Sequence, residues 1–318
     1  MVYIALIILL IAMELLYFKI AIKCNIIDKP NHRSSHTDHT IRGGGIIFPL
    51  AMMMAFLMGK ASLSFTVAIV IVGLVSFIDD IRPLPTLPRF SVHLIATLLV
   101  LAELGLFQEP LWLLPVILIG LVGWINAFNF MDGINGITVL YALVSIVSFG
   151  YVFRDEAVFE VLLIMGLACL VFGFFNIRKK AKTFAGDVGS VALAVFLGYM
   201  MLKAVFQRDT IAYLLFFSVY GIDALFTILY RLKNKENILQ PHRSHLYQFL
   251  ANEMKWPHLS VSFLYAITQL GVNIGTIYWI EAYDLSWPGT MLILAFMAMM
   301  YLLIRMKIKN KIMQLQDK

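Results

Sequence analysis

The sequence predicts an all-α, polytopic integral membrane protein, a bundle of about eleven transmembrane helices. Of the 318 residues, 61% are hydrophobic and only 14% are charged, and the mean hydropathy is +0.85. A soluble globular domain is about 45–50% apolar and about 25% charged, so this composition excludes an ordinary soluble enzyme. Apolar runs of roughly 20 residues, separated by short polar segments, are typical of helices that span a bilayer.

Eleven such runs follow one another along the chain, and no repeat or linker divides them. Residues 1–318 are therefore predicted to form a single membrane domain. The first run lacks a basic leader and a small-residue cleavage site, so we expect a retained helix rather than a signal peptide. The predicted spans are 2–22, 43–59, 62–78, 91–107, 111–128, 136–153, 158–175, 187–204, 210–230, 258–280 and 288–304.

The distribution of basic residues predicts the orientation of the bundle, because Lys and Arg concentrate in cytoplasmic loops. With a periplasmic N-terminus and a cytoplasmic C-terminus, 21 of the 25 Lys and Arg residues fall on the cytoplasmic side. The four exceptions are Lys60, Arg154, Lys203 and Arg208. The net charge of +6 is accordingly interpreted as a topology signal, and no nucleic-acid partner is expected.

The predicted cytoplasmic loops hold most of the polar residues that are suited to ligand binding or catalysis. These loops span residues 23–42, 79–90, 126–136, 176–190 and 231–257. The predicted outer loops are short and contain few such residues. We therefore expect any chemistry to take place at the cytoplasmic face.

The first two loops contain candidate residues for binding phosphate and a divalent cation. Arg33 and Arg42 precede a triple glycine, residues 43–45, at the start of a span. Gly-rich turns and helix N-termini bind phosphates through backbone N–H groups, although close helix packing explains the glycines as well. Asp79 and Asp80 are adjacent carboxylates at a helix end, an arrangement that favours a shared cation or a raised pKa.

Two further segments are rich in oxygen ligands. Asn126, Asn129, Asp132 and Asn135 recur every third residue, so on a helix they would share one face. Such a stripe suits a hard cation and a polar substrate, and its alternative is hydrogen bonding between helices. Asp187, in the segment FAGDVGS, opens a later span at the same face and is placed to bind Mg²⁺.

The last cytoplasmic loop contains His242, Arg243 and His245 in the segment QPHRSHLYQ. No further Cys or His stands at zinc-finger spacing, so a structural zinc site is not expected. Arg and His near acidic clusters favour recognition of a phosphate anion. Four polar residues within or near spans have no predicted role: Glu14, His93, Glu103 and Asp223.

Taken together, these clusters suit a membrane enzyme that uses Mg²⁺ to transfer a phosphoryl group between a lipid and a soluble substrate. The alternative is a membrane transporter of anionic solutes. A transporter would place its polar residues near the bilayer midplane and would often show an internal repeat.

The segments DDIRPLP, NAFNFMDGINGI, FAGDVGS and the His/Arg loop resemble, in this order, the motifs of a known family. They are similar to the polyprenyl-phosphate N-acetylhexosamine-1-phosphate transferases, the WecA/MraY superfamily or glycosyltransferase family 4. The resemblance spans residues 28–248, and eleven helices with an outer N-terminus are similar to the WecA-like branch. It implies that undecaprenyl phosphate and a UDP-N-acetylhexosamine react to undecaprenyl-diphospho-sugar and UMP.

The resemblance also implies where the protein acts and in what form. The reaction would take place at the cytoplasmic face of the bacterial inner membrane and would initiate O-antigen, capsule or other cell-envelope polysaccharides. Members of the family are often homodimers. The loop HRSHLYQ lacks the run of histidines common in the family. It resembles the branch that initiates O-antigen or capsule chains, sometimes on 6-deoxy-N-acetylhexosamines, so the sugar stays open.

Residue roles follow from the same resemblance. Asn129 and Asp187 would bind Mg²⁺, or alternatively Mn²⁺. Asp79 would deprotonate or orient the lipid phosphate, and Asp80 would lie beside it near the metal. Asp132 and Asn135 would bind the nucleotide sugar, and His242, Arg243 and His245 its diphosphate. The residue patterns described above add Asn126, Arg33 and Arg42 as further candidates for substrate binding.

Overall fold

Long apolar helices dominate the fold, which a computed structural model describes for residues 1–29, 39–237 and 243–316. The helices are α1 (Val2–Lys23), α2 (Ile47–Leu57), α3 (Leu63–Ile81), α4 (Thr86–Glu103), α5 (Leu113–Phe130), α6 (Ile137–Val152), α7 (Val158–Asn176), α8 (Gly186–Gln207), α9 (Ser218–Lys233), α10 (Leu246–Gln248), α11 (His258–Tyr283) and α12 (Trp287–Gln316). A short antiparallel ribbon pairs β1 (Ile27–Asp28) with β2 (Thr40–Ile41).

The predicted spans correspond to apolar helical segments. Within the described residues, nine segments are long and apolar enough to cross a membrane. Two others, Gly44–Leu57 and Ile137–Val152, are apolar but shorter. The prediction of an all-α, multi-pass membrane protein is confirmed. The number of helices that cross the bilayer and the side on which each end lies stay predictions.

Helix α8 forms the centre of the bundle. Its sequence is apolar on all sides and rich in small residues, as expected for a helix surrounded by other helices. It packs against α3, α5 and α6, and nearly all of its side chains are buried. The Trp124 indole N–H donates to the Ala194 carbonyl at 2.9 Å, which ties α5 to this central helix.

Two helices that carry candidate residues extend into predicted loops. Helix α3 continues to Ile81, so Asp79 and Asp80 lie in its last turn rather than in a loop. Helix α5 ends at Phe130, and Asp132 and Asn135 lie in the turn before α6. The predicted helical stripe is therefore wrong beyond Phe130.

One predicted span is interrupted. The run 210–230 consists of a 3₁₀ segment, Ile211–Phe217, followed by α9. The Gln269 side chain bridges this break, because its amide donates to the Leu215 carbonyl at 2.8 Å and accepts from the Val219 N–H at 3.0 Å. Backbone groups freed inside a bilayer need such partners, since lipid offers none.

Charged residues near the predicted outer loops and those of the predicted cytoplasmic loops form separate clusters in the structure. The residues of the predicted outer loops contact one another: Lys60 pairs with Glu160 at 2.9 Å, and Arg208 pairs with Glu156 at 2.7 Å. The candidate site residues form a separate cluster, described next.

Helices α9, α11 and α12 also enclose an apolar groove of about 590 Å³, whose lining includes Leu246, Tyr265 and Tyr301.

Candidate active site

The site is built on the first turn of α8. Gly186 opens this helix with a φ of +69°, and a side chain there would collide with Asp80. Asp80, from the end of α3, accepts hydrogen bonds from the backbone N–H groups of Asp187 (3.0 Å) and Val188 (3.1 Å). A carboxylate at a helix N-terminus satisfies free N–H groups and complements the helix dipole. Asp80 therefore caps α8 from a neighbouring helix and places Asp187.

Two arginines connect three carboxylates into one cluster. The Arg42 Nε donates to Asp80 at 2.7 Å, and its Nη2 lies 4.0 Å from Asp187. Arg89, at the start of α4, lies 3.3 Å from Asp79 and 3.5 Å from Asp187. Although burial lowers it, the Asp80 and Asp187 carboxylates raise the pKa of Arg42 above its usual value. The cluster is thus a set of fixed charges of both signs.

Asn129 joins α5 to this cluster. Its amide donates to Asp187 at 3.2 Å and to the Ser190 hydroxyl at 2.8 Å. Among the described residues, no group of three or more His, Cys, Asp or Glu side chains is arranged to hold a metal ion. The carboxylate of Asp187 and the amide of Asn129 nevertheless face a polar cavity, and such oxygen donors fit a hard cation such as Mg²⁺.

A polar cavity of about 250 Å³ opens beside the cluster. Its walls are formed by segments that are far apart in sequence and that meet near the ends of the helices. The lining includes Asp28, Arg42, Asn129, Asp132, Gly133, Asn135, Asn176, Asp187, Gln248 and His258. A concave site with convergent polar groups beside charged residues is the usual setting for binding a small polar substrate.

Asp132 is a titratable side chain that lines the cavity. Burial raises the pKa of the Asp132 carboxyl to about 6. The Thr138 hydroxyl donates to it at 2.5 Å and limits this rise, because the hydrogen bond favours the ionised form. The charge of this cavity wall therefore changes close to neutral pH.

Several predicted residues are not gathered at the cavity. Asn126 donates to the Val122 carbonyl of its own helix at 2.7 Å and does not line the cavity. His245 is buried, with its Nδ1 3.4 Å from Asp223, and it is also absent from the lining. Their positions do not support direct contact with a substrate bound there. Arg243 is half-buried outside the lining. Arg33 and His242 fall outside the described residues.

Asn135 lines the cavity, but its side-chain amide and its backbone carbonyl already form hydrogen bonds within the protein. Its amide donates to the carbonyls of Arg178 (2.9 Å) and Lys179 (3.2 Å), and its own carbonyl accepts from Ser262 at 2.8 Å. It therefore joins the turn before α6 to the loop before α8, a structural task that the prediction of substrate binding did not include.

Sequence reasoning missed several polar residues that the structure brings to the site, among them Asp28, Arg89, Asn176, Gln248 and His258. Arg89 reaches two of the carboxylates, whereas Gln248 and His258 line the cavity. A signal for Arg89 existed, since it is a basic residue at the cytoplasmic start of a span, directly after the prolines that follow Asp79 and Asp80. Gln248 ends the segment QPHRSHLYQ but received no predicted role, and His258 stands in no recognisable pattern.

Comparisons with known proteins bear on this arrangement. Residues 62–205 match the family model described as glycosyl transferase family 4. The resemblance to this family is confirmed. The matched stretch runs from the start of α3 into α8 and contains Asp79, Asp80, Asn129 and Asp187. The predicted class of enzyme, a transferase, is confirmed with it.

Relatives of this family align with the chain to different extents. Over 273 residues the chain is 23% identical to the probable undecaprenyl-phosphate N-acetylglucosaminyl 1-phosphate transferase of Bacillus subtilis (strain 168), covering 78% of this chain and 76% of that protein. Over 153 residues it is 32% identical to the phospho-N-acetylmuramoyl-pentapeptide-transferase of Streptococcus pyogenes serotype M12, covering 41% of this chain and 45% of the relative. The chain thus aligns with less than half of the pentapeptide transferase.

Proposed function

We propose that the protein transfers an N-acetylhexosamine 1-phosphate from a UDP-sugar to undecaprenyl phosphate, releasing UMP. The observation that carries the proposal is the cluster of Asp79, Asp80, Asp187, Arg42 and Arg89 at the edge of the polar cavity. The B. subtilis relative is named a transferase for undecaprenyl phosphate, which supports the lipid substrate. A membrane-embedded bundle with its polar site at a helix end is suited to a lipid phosphate and a soluble donor.

The reaction is a displacement at phosphorus. An oxygen of the lipid phosphate attacks the β-phosphorus of the UDP-sugar, and the bond from this phosphorus to the bridging oxygen breaks, so that UMP leaves with the bond's electrons. Phosphoryl transfer requires positioning and neutralisation of charge more than covalent chemistry by the protein. No residue of the site is therefore asked to carry the phosphate.

The chain's own side chains divide these tasks. Arg42 and Arg89 present guanidinium groups, each of which can donate two parallel hydrogen bonds to a phosphate. Asp79 accepts from the Leu84 N–H at 2.5 Å, and its other oxygen faces Arg89, where it can orient the lipid phosphate or receive its proton. Asp132, across the cavity, would bind the donor.

The oxygen donors of Asp187 and Asn129 would hold a divalent cation, Mg²⁺ or alternatively Mn²⁺. A bound Mg²⁺ would supply positive charge to the phosphoryl oxygens as the bond to the leaving group breaks. Two phosphates of the donor and one of the acceptor bring more negative charge than Arg42 and Arg89 can balance. This imbalance supports the need for a cation in addition to the two arginines.

The proposal extends to the setting of the reaction. The distribution of basic residues supports a site at the cytoplasmic face. The resemblance to the family supports the bacterial inner membrane and the initiation of O-antigen, capsule or other envelope polysaccharide. The donor is a UDP-N-acetylhexosamine, with a 6-deoxy-N-acetylhexosamine as the alternative. A homodimer is the expected assembly.

The reaction is tested by release of UMP from purified protein in detergent. The protein is incubated with undecaprenyl phosphate and a panel of UDP-N-acetylhexosamines, including 6-deoxy sugars, with Mg²⁺ or with EDTA. We expect UMP from one donor, dependent on both the lipid and Mg²⁺. Absence of UMP with every donor, from protein that remains folded, would contradict the proposal and favour a transporter.

The site is tested by Asp187→Asn, which removes one charged oxygen donor and keeps the shape of the side chain. We expect a fall in kcat of at least about 100-fold, as is typical when electrostatic stabilisation of a transition state is lost. The matched control is Asp155→Asn, at a carboxylate whose side chain is 91% exposed and pairs with Arg154. Asp155 lies in a predicted outer loop, whereas the cluster belongs to the predicted cytoplasmic loops. Equal activity of the two variants would remove Asp187 from the site.

A further inference from the structure

A buried carboxylate, Asp223, binds the backbone of the segment 244–248. Asp223, on α9, is fully buried and accepts hydrogen bonds from the Leu246 N–H (3.0 Å), the Tyr265 hydroxyl (2.7 Å) and the Tyr301 hydroxyl (2.9 Å). These donors come from three different parts of the chain: the segment itself, α11 and α12. A charged residue within a membrane-spanning segment is costly and is usually retained for a function.

A buried arginine on α12 completes the arrangement. Arg305 is only 5% exposed, and it donates to the Ser244 carbonyl at 2.8 Å and to the Thr227 hydroxyl at 2.8 Å. It also donates to the Tyr301 hydroxyl, which therefore bridges Arg305 and Asp223. Asp223 and Arg305 thus form hydrogen bonds with the backbone on either side of residue 245, at Leu246 and Ser244. We call Asp223, Tyr301 and Arg305 the clamp.

The front of the same segment forms part of the cavity wall. The Tyr247 hydroxyl donates to the Phe130 carbonyl at 3.1 Å and lies directly against Gly133, in the turn that carries Asp132. Gln248 lines the cavity, and its side chain accepts from the backbone N–H of His245 at 3.2 Å. The clamp and the cavity therefore contact opposite sides of five consecutive residues.

We propose that Asp223, Tyr301 and Arg305 are positioning residues for the nucleotide-sugar donor. They fix the backbone at 244–246, and this backbone places Tyr247 against the Asp132 turn and Gln248 at the cavity. The inference rests on the proposed function for the identity of the ligand. Burying a charged side chain costs free energy of desolvation even when the side chain is hydrogen-bonded, so the presence of Asp223 and Arg305 here is better explained by the geometry they impose.

The position of the clamp predicts which kinetic constant it controls. The carboxylate–arginine cluster stands on α3, α4 and α8 and on the Arg42 turn, and none of the clamp's hydrogen bonds described above reaches these elements. Loosening the clamp disturbs the wall formed by Tyr247 and Gln248 and leaves the cluster in place. Donor binding should therefore weaken more than turnover of bound donor slows.

The test is Tyr301→Phe, which removes the bridging hydroxyl with almost no change in volume. We expect the KM for the UDP-sugar to rise about fivefold to tenfold, the value of one typical hydrogen bond, while kcat stays within about twofold. The control is Tyr278→Phe, the same chemical change on α11 at a side chain that is 57% exposed; it should leave both constants unchanged. An unchanged KM, or a fall in kcat alone, in Tyr301→Phe would overturn the proposal.

A second measurement does not depend on turnover. Hydrogen–deuterium exchange of the full-length protein reports on the Leu246 amide, which is protected by its bond to Asp223. We expect faster exchange in the peptide covering residues 243–249 in Tyr301→Phe but not in Tyr278→Phe. Equal exchange in both would overturn the clamp itself. Faster exchange together with no UMP from wild-type protein would instead overturn the proposed function and the assignment to donor binding.

Discussion

At the scale of single residues, Asp79, Asp80 and Asp187 carry the same carboxylate but differ in their hydrogen-bond and charge partners. Both oxygens of Asp80 accept backbone N–H groups of α8, so this carboxylate is a structural anchor. Asp187 projects from the same turn with its side chain 23% exposed and reaches the cavity. Asp79 lies between the Leu84 N–H and Arg89. Position in the sequence identified all three as candidates, but only their partners distinguish the tasks.

The environment of Asp132 makes a prediction about pH. Burial raises the pKa of its carboxyl to about 6, so the ionised form that would bind the donor is lost as the pH falls through about 6. Thr138→Val removes the hydroxyl that favours the ionised form, so the pKa should rise further. We expect the acidic limb of the kcat/KM profile to move to higher pH in this variant.

The control for this prediction is Thr138→Ser, which keeps a hydroxyl at the same place. It should retain the wild-type profile. The measurement is the rate of UMP release between about pH 5 and 8. An acidic limb at the same pH in Thr138→Val and in Thr138→Ser would show that Asp132 does not control it.

Residue-level prediction from the sequence reached Asp79, Asp80, Asn129, Asp132 and Asp187 because these stand in recognisable segments at helix ends. It could not reach Gln248, which meets the cavity only because the segment 244–248 folds back against the end of α5. It misplaced His245, because a histidine in a polar loop carries no sign that a buried aspartate lies behind it.

At the scale of elements, the close approach of two glycines allows the first turn of α8 to reach the Arg42 turn. The Gly44 and Gly45 N–H groups donate to the carbonyls of Phe184 and Ala185, each at 3.0 Å. A methyl group on Gly189 would lie 2.7 Å from the Gly45 Cα. The charged cluster depends on this contact, because Arg42 and Asp187 come from its two sides.

Gly45→Ala should therefore separate these elements. Its methyl group would overlap the backbone of Gly189, and such overpacking costs about 1–3 kcal/mol. We expect a lower melting temperature and a loss of UMP release that exceeds what unfolding explains. The control is Gly123→Ala on α5, where an added methyl group meets no atom within 4 Å. Wild-type activity and melting temperature in Gly45→Ala would contradict the role of this contact.

Helical elements were predictable where the apolar runs are long. The eleven runs all correspond to helical segments within the described residues, because a bilayer requires each span to satisfy its own backbone. The break before α9 was not predictable, since residues 211–217 are all apolar or aromatic and include neither Pro nor Gly. The break is stabilised by Gln269, more than 50 residues further along the chain, and local sequence cannot show such a partner.

At the scale of the whole molecule, buried polar groups such as Asp223 and Gln269 bond within the bundle. Apart from these, the described ion pairs of the predicted outer loops and those of the candidate site form two sets with different partners. One set pairs Lys60 with Glu160 and Lys203 and Arg208 with Glu156. The other is the candidate site. This separation agrees with a site at one membrane face and disagrees with the midplane site typical of transporters. Composition alone predicted the class of fold, whereas the sidedness rests on the positive-inside rule.

Sidedness is tested with single cysteines and a maleimide that does not cross membranes. Lys60→Cys and Lys179→Cys are a matched pair, since both replace exposed lysines. The background variant is Cys24→Ser, because Cys24 is exposed, whereas Cys169 is buried. We expect Lys60→Cys to react in intact cells and Lys179→Cys to react only after permeabilisation. The reverse pattern would invert the proposed orientation and place the site outside.

The buried hydroxyl of Tyr301 has a pharmacological consequence. Tyr301 lines the apolar groove between α9, α11 and α12, so a hydrophobic compound bound in this groove would contact the side chain without entering the polar cavity. A compound that parts α12 from α9 would loosen the far wall of that cavity through the backbone. Such an inhibitor would raise the apparent KM for the donor without resembling it, and resistance to it would arise in the C-terminal helix.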